Sequence, residues 1–216
     1  MNEPDVVLTD VGLALLGAYF AWRLWAQRGG GPLRIPGVLL MAGLASAAFW
    51  GAVFHAFFPD RTATPVGFVF WLPVVVSILL VAATLLDLAL RLVIPRLGLH
   101  ARRVVVALYA AGFLGFILFV DESFTAIVRF YAPALVLFLA ASAWRALRTH
   151  SRAWTLIASG FAVSAGAAVL QQAGVSVHPT YFDHNALYHV VQAAALVLLF
   201  LGFRHTATMP GPMHGR

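Results

Sequence analysis

The 216-residue sequence contains no cysteine and no lysine. The first absence excludes disulfides, thiolate nucleophiles, cysteine-held zinc and iron–sulfur clusters. The second makes all 14 basic residues arginine and removes Schiff-base chemistry, including a retinal-type chromophore. Charge itself is scarce, at 10% of residues against about 25% in soluble domains. What is abundant is apolar: 62% of the chain, with mean hydropathy +0.89. A single core of this size cannot hide that much apolar surface, so the chain reads as a membrane protein. The net charge of +6 comes from arginines that flank apolar runs. Membrane orientation explains that placement, and nucleic acid is not an expected partner.

A helix needs about 20 mostly apolar residues to cross the hydrocarbon core. Seven stretches satisfy this, at 6–26, 36–58, 66–90, 103–120, 124–147, 154–174 and 186–204. They predict an all-α membrane protein, one domain over 1–216 built as a seven-transmembrane-helix bundle. Gly29-Gly30-Gly31-Pro32, Pro59-Asp60 and Pro95 punctuate the connections. Pro73 and Pro133 fall inside spans, where a bundle interior tolerates them. The opening Met-Asn-Glu-Pro-Asp lacks the basic start of a cleavable signal, so the first span is expected to remain as a helix. Twelve of the 14 arginines fall on one side of the spans, with only Arg61 and Arg129 on the other. The positive-inside rule then places the N-terminus outside and the C-terminus in the cytoplasm.

Acids divide the opposite way. Glu3, Asp5, Asp10, Asp60, Asp121, Glu122 and Asp183 map to the outer side, and only Asp87 lies near the cytoplasm, four residues before Arg91 as in a helical ion pair. His100, His150, His205 and His214 lie in arginine-rich cytoplasmic segments suited to lipid headgroups. His55, His178, His184 and His189 are outer, with His178 expected in a loop. His55 and His189 sit about one turn inside their spans from opposite chain directions, hence at similar depth. Neutral imidazole is the commonest nitrogen ligand for metal. The alternative is a polar cluster that ties the helix ends together.

Gly43, Ala47, Gly51 and His55 recur every four residues, a small-residue ridge that turns His55 into the bundle. In the seventh span Asn185, His189 and Gln192 share a face, with Asp183 as a helix cap. His184 and His189 are five apart, about 140° around a helix. Either the first turn is irregular and His184 joins His189, or Asn185 faces the site instead. Asp10 either complements the N-terminus of the first helix or reaches the histidines. Arg129 is expected beside Asp121 or Glu122, and Gln171 and Gln172 at the end of the sixth span. Trp50, Phe57, Phe58, Trp71, Tyr131, Tyr181 and Phe182 are expected as interfacial anchors.

Phe54-His55 in the second span and Asp183-His184-Asn185-Ala186-Leu187-Tyr188-His189 at the seventh resemble the CREST group of seven-helix membrane proteins, which holds alkaline ceramidases and the PAQR receptors. The run His-Asn-x-Leu-Tyr-His with Thr9-Asp10 is similar to a bacterial branch of such proteins. The resemblance implies zinc on His55, His184 and His189. Asp10, Asp60, Asp183 and Asn185 would then serve as base or as groups that orient the ligands. The implied function is a zinc-dependent hydrolase of lipid-like amides or esters, set in a bacterial cytoplasmic membrane with its site on the extracytoplasmic side. The alternative is a non-catalytic seven-helix sensor or binding protein. The sequence departs from the ceramidase pattern in having Gly51 four residues before His55 in place of serine, no aspartate opening the third span, and a His184–His189 spacing of five.

Overall fold

The computed structural model describes residues 3–27, 31–58, 64–178 and 181–207. The expected breakers Gly29-Gly30 and Pro59-Asp60, with Arg61, His214 and Arg216, lie outside the described residues. Seven helices run in order: α1 (Pro4–Trp25), α2 (Arg34–Phe57), α3 (Pro65–Val93), α4 (Leu99–Phe119), α5 (Phe124–Thr149), α6 (Arg152–Gln172) and α7 (His184–Ala207). All seven are long and apolar enough to cross a membrane. The chain is an all-helical integral membrane protein.

Local chemistry sets the helix starts. Pro4 and Pro65 occupy first turns, where a missing N–H costs nothing. Thr64 and Ser123 cap α3 and α5 by accepting from Gly67 N–H at 3.0 Å and Ala126 N–H at 3.2 Å. Asp183 caps α7 as expected, its Oδ1 accepting from the N–H groups of Asn185 at 2.8 Å and Ala186 at 2.9 Å. Pro73 and Pro133 lie inside α3 and α5. Beside the first, the Ser77 hydroxyl is 2.6 Å from the Pro73 carbonyl and 2.8 Å from Ser46 Oγ of α2.

Six helices close a ring in the order α1, α2, α3, α5, α6, α7, with α7 returning to α1. Helix α4 stands outside it, packed on α3 and α5 and burying only Phe113 and Ile117. Its tie at the arginine-rich end is electrostatic: Asp87 bridges Arg91 within α3 and Arg102 of α4, both at 2.5 Å. The Arg91 pair was legible from spacing, whereas Arg102 was expected in a loop. Helix α4 begins at Leu99 instead of 103 and carries Arg102 in its first turn.

The closest packing joins α6 to α7 through reciprocal glycines. A Cβ on Gly160 would stand 2.7 Å from Leu199 Cγ, and one on Gly202 would stand 2.6 Å from Ile157 Cγ1 and 3.0 Å from the Ala153 carbonyl. Small residues of this kind let membrane helices approach, and the gain is dispersion, not water release. Gly160→Val is therefore expected to destabilise the protein by about 1–3 kcal/mol through overpacking. Gly112→Val on α4, where nothing lies within 4 Å, is expected to leave it unchanged. Thermal unfolding of the two variants in one detergent checks this.

Candidate functional site

A cavity of about 240 Å³ opens within the ring toward the end where α1 begins. From His55 to Leu44 along α2 it follows eleven residues, roughly 16 Å of helix rise. Helix α4 supplies none of its lining. The walls differ in chemistry. Helix α7 contributes Asn185, Tyr188, His189 and Gln192, all polar. Opposite in the ring, α3 contributes Trp71, Val74, Ile78 and Val81, all apolar in the surface they can offer, because the Trp71 indole N–H already donates to the Glu122 carbonyl at 3.0 Å.

Asp10 and His189 meet at the polar side. His189 Nε2 lies 3.1 Å from Asp10 Oδ1, and the two side chains are 9% and 5% exposed. The other ring nitrogen, Nδ1, lies 3.1 Å from Thr9 Oγ1. That hydroxyl also reaches the carbonyls of Asp5 at 2.9 Å and Val6 at 3.0 Å. When Thr9 gives its one hydrogen to a helix carbonyl, Nδ1–H donates to Oγ1; when it gives it to Nδ1, the imidazole accepts. On a neutral ring Nε2 accepts from a protonated Asp10 in the first arrangement and donates to Asp10 Oδ1 in the second, so both ring nitrogens are engaged. Gly51 makes this contact possible, since a Cβ there would sit 3.1 Å from Asp10 Oδ2. Of the two readings open for Asp10, the one that reaches the histidines is the structure's.

The remaining expected residues divide. His55 lines the cavity beside Ala47 and Gly51 of the same ridge, while Gly43 packs against Val81 of α3. His55 Nδ1 pairs with the Glu3 carboxylate. Asn185 faces the cavity and accepts from Gln171 Nε2 at 2.8 Å. Asp183 spends its carboxylate on capping α7, and its own N–H donates to Asp5 Oδ2 at 3.1 Å, which ties α7 to α1. His184, the first residue of α7, is 43% exposed, stands 4.0 Å from Asp183 Oδ2, and does not line the cavity. The helix is regular from its first residue, so five positions separate the two histidines in angle. His178 lies in the α6–α7 connection as expected, bridged to Phe182.

These positions do not fit the three-histidine zinc set that the resemblance implies. His189 has no free nitrogen, His55 is turned to Glu3, and His184 is elsewhere. Among the described residues no three histidine, aspartate or glutamate side chains are grouped so as to hold a metal ion.

Comparison places the chain. Residues 6–208 match the family of unknown function DUF6962. The chain belongs to this family. No curated protein and no solved structure matches it. The DUF6962 match begins inside the first turn of α1 and runs past the end of α7, so the whole ring and its cavity belong to the family unit.

Sequence reasoning missed part of the lining. Tyr131 and Trp71 were expected as interfacial anchors but line the cavity. Gln171 and Gln172 close α6 as expected and also line it. Tyr188 was not singled out. Its signal was present: 185, 188, 189 and 192 follow the i, i+3, i+4, i+7 period of one helical face, and every one of them is polar. Arg129 influences Asp121 through its charge, without an ion pair between them among the described contacts, and as the smaller effect. Hydrogen bonds from Ser123 come first in holding that exposed carboxyl below the usual range, with Arg129 adding to them.

Gly51→Val is expected to push Asp10 away from His189 and cost about 1–3 kcal/mol. Gly12→Val, which faces open space, is expected to do neither. Stability measurements with nitrogen NMR of the His189 ring check both; an unchanged ring environment in Gly51→Val would sink the assignment of Gly51 as the spacer.

Proposed function

We propose that this protein binds a lipid-like molecule between its transmembrane helices, in the cavity that α7 lines with polar groups and α3 with apolar ones. That opposition of walls carries the reading. A cavity inside a membrane bundle fills from the surrounding lipid phase, and a few placed polar groups within an apolar lining are what orient a small ligand. The Thr9–His189–Asp10 contacts and the Asn185–Gln171 and Asp183–Asp5 hydrogen bonds hold the polar wall in place. They support a binding or sensing role for the cluster ahead of a metal centre.

The arginine asymmetry supports an orientation with the N-terminus and the cavity on the extracytoplasmic side and the C-terminus in the cytoplasm. The similarity to bacterial seven-helix proteins supports the cytoplasmic membrane of a bacterium as its place. A second reading, hydrolysis of a lipid amide or ester, is favoured by one observation. His189, paired with Asp10 through Nε2, lies on the cavity wall, and giving up its Thr9 contact would free Nδ1 to act as a general base.

Native mass spectrometry of the protein released from lipid nanodiscs tests both readings. The wild type is expected to retain a non-covalent lipid-like adduct. Ala132→Phe, which adds a ring to the cavity wall, is expected to lower its occupancy about tenfold. Equal occupancy in the two proteins would overturn the binding reading. Release of a cleaved fragment by the wild type but not by His189→Ala would establish hydrolysis instead.

A further inference from the structure

Gln192 is the deepest polar residue of the α7 wall and is 2% exposed. Its Oε1 accepts from the Ser164 hydroxyl of α6 at 2.7 Å. That bond orients the amide, because a hydroxyl already placed on the oxygen leaves the –NH₂ group on the other side. The nitrogen has no hydrogen-bond partner among the described residues, yet it is not among the enclosed unpartnered atoms, and the residue lines the cavity. The two donors therefore face the cavity's open space. A buried amide left without a partner is costly, and an acceptor on the ligand would offset that cost.

The position of this donor matters as much as its identity. Gln192 lies seven residues below Asn185, roughly 10 Å along the helix. It sits opposite the apolar α3 wall, not at the cavity's mouth. Tyr131 and Tyr188 also line the cavity, and neither hydroxyl has a hydrogen bond to a described residue. No arginine lines it among the described residues, and Asp10 is held by His189.

We propose that the ligand is an uncharged, elongated apolar molecule with a hydrogen-bond-accepting oxygen part-way along its body, which Gln192 Nε2 recognises from the side. This rests on the binding reading above and adds its chemistry: the polar group lies along one edge of the ligand instead of forming a headgroup at one end. Phosphate, sulfate and carboxylate headgroups find no arginine in the cavity among the described residues, and its two histidines are turned to Glu3 and Asp10. An unsubstituted alkyl chain leaves the Gln192 donors bare.

Positional isomers separate these cases. The full chain in nanodiscs is titrated with undecane, 2-undecanone, 6-undecanone and undecanoate, each corrected for uptake by empty discs of the same lipid. The mid-chain ketone is expected to bind roughly three- to tenfold more tightly than the alkane, one hydrogen bond's worth, and undecanoate most weakly. Gln192→Met keeps the volume and removes the donors; it is expected to bring 6-undecanone down to the alkane's affinity and to leave the alkane unchanged. Ser164→Ala removes only the group that orients the amide, and is expected to lose part of the same preference; it serves as the second variant if Gln192→Met does not fold. A mid-chain ketone that binds no better than undecane, or equally well in both variants, overturns the assignment of Gln192 and leaves the binding reading standing. If no probe exceeds its uptake by empty discs, the binding reading itself fails.

Discussion

A carboxyl group two turns into an apolar membrane helix is costly unless it is paired. Asp10 is in that position, and its partner is His189. The contact needs α1 and α7 side by side, which they are. It needs α2 close enough to shield the carboxylate, which the missing side chain of Gly51 allows. It needs the first turn of α7 held in register, which the Asp183 cap and the Asp183–Asp5 hydrogen bond supply. The neighbouring Gln171–Asn185 hydrogen bond ties α7 in the same way to α6.

The other half of the architecture follows from what apolar side chains cannot do in lipid. Leucine or valine on a helix surface is as comfortable against an acyl chain as against another helix, so hydrophobicity does not choose partners there. Close approach does, and it occurs where glycines permit it, at Gly160 and Gly202 between α6 and α7 and at Gly17 against Ala45 between α1 and α2. Helix α4 makes no such glycine approach at Gly112 or Gly115 and remains outside the ring. Its position is set instead by the Asp87–Arg102 pair at one end and the Tyr109 hydroxyl on the Phe130 carbonyl, at 2.6 Å, further along.

This difference explains which features were legible in the sequence. Span number and approximate limits come from hydropathy, a property each segment carries alone, and all seven helices form. The limits shifted by two to four residues where a polar residue continues the helix past its apolar stretch, as Arg102 does at the start of α4 and His184 at the start of α7. Pairings across the bundle were only partly legible. The ridge through Ala47, Gly51 and His55 and the face of Asn185, His189 and Gln192 could be read from period alone. That Asp10 lies between them could not, because nothing in α1 states which neighbour it will have. Trp71 and Tyr131 were misplaced for a related reason: an aromatic near a helix end suits the interface equally well by composition, and only the ring's geometry turns these two inward.

Position 51 joins these threads. The ceramidase-like pattern has a serine one turn before the histidine of the second helix, whereas this chain has Gly51. In isolation the change reads as a lost functional group. In the structure a side chain at that position would meet the Asp10 carboxyl group, so α1 places a polar group where α2 has none. The two arrangements are not equivalent. A serine hydroxyl is neutral, both donates and accepts, and leaves a histidine on α7 free to use its ring nitrogens elsewhere. A carboxylate draws that imidazole to itself, and with Thr9 on the far nitrogen the ring is held at both ends. The polar wall is thereby fixed in place, and the donors on it that no described residue engages are the Tyr188 hydroxyl and the Nε2 group of Gln192.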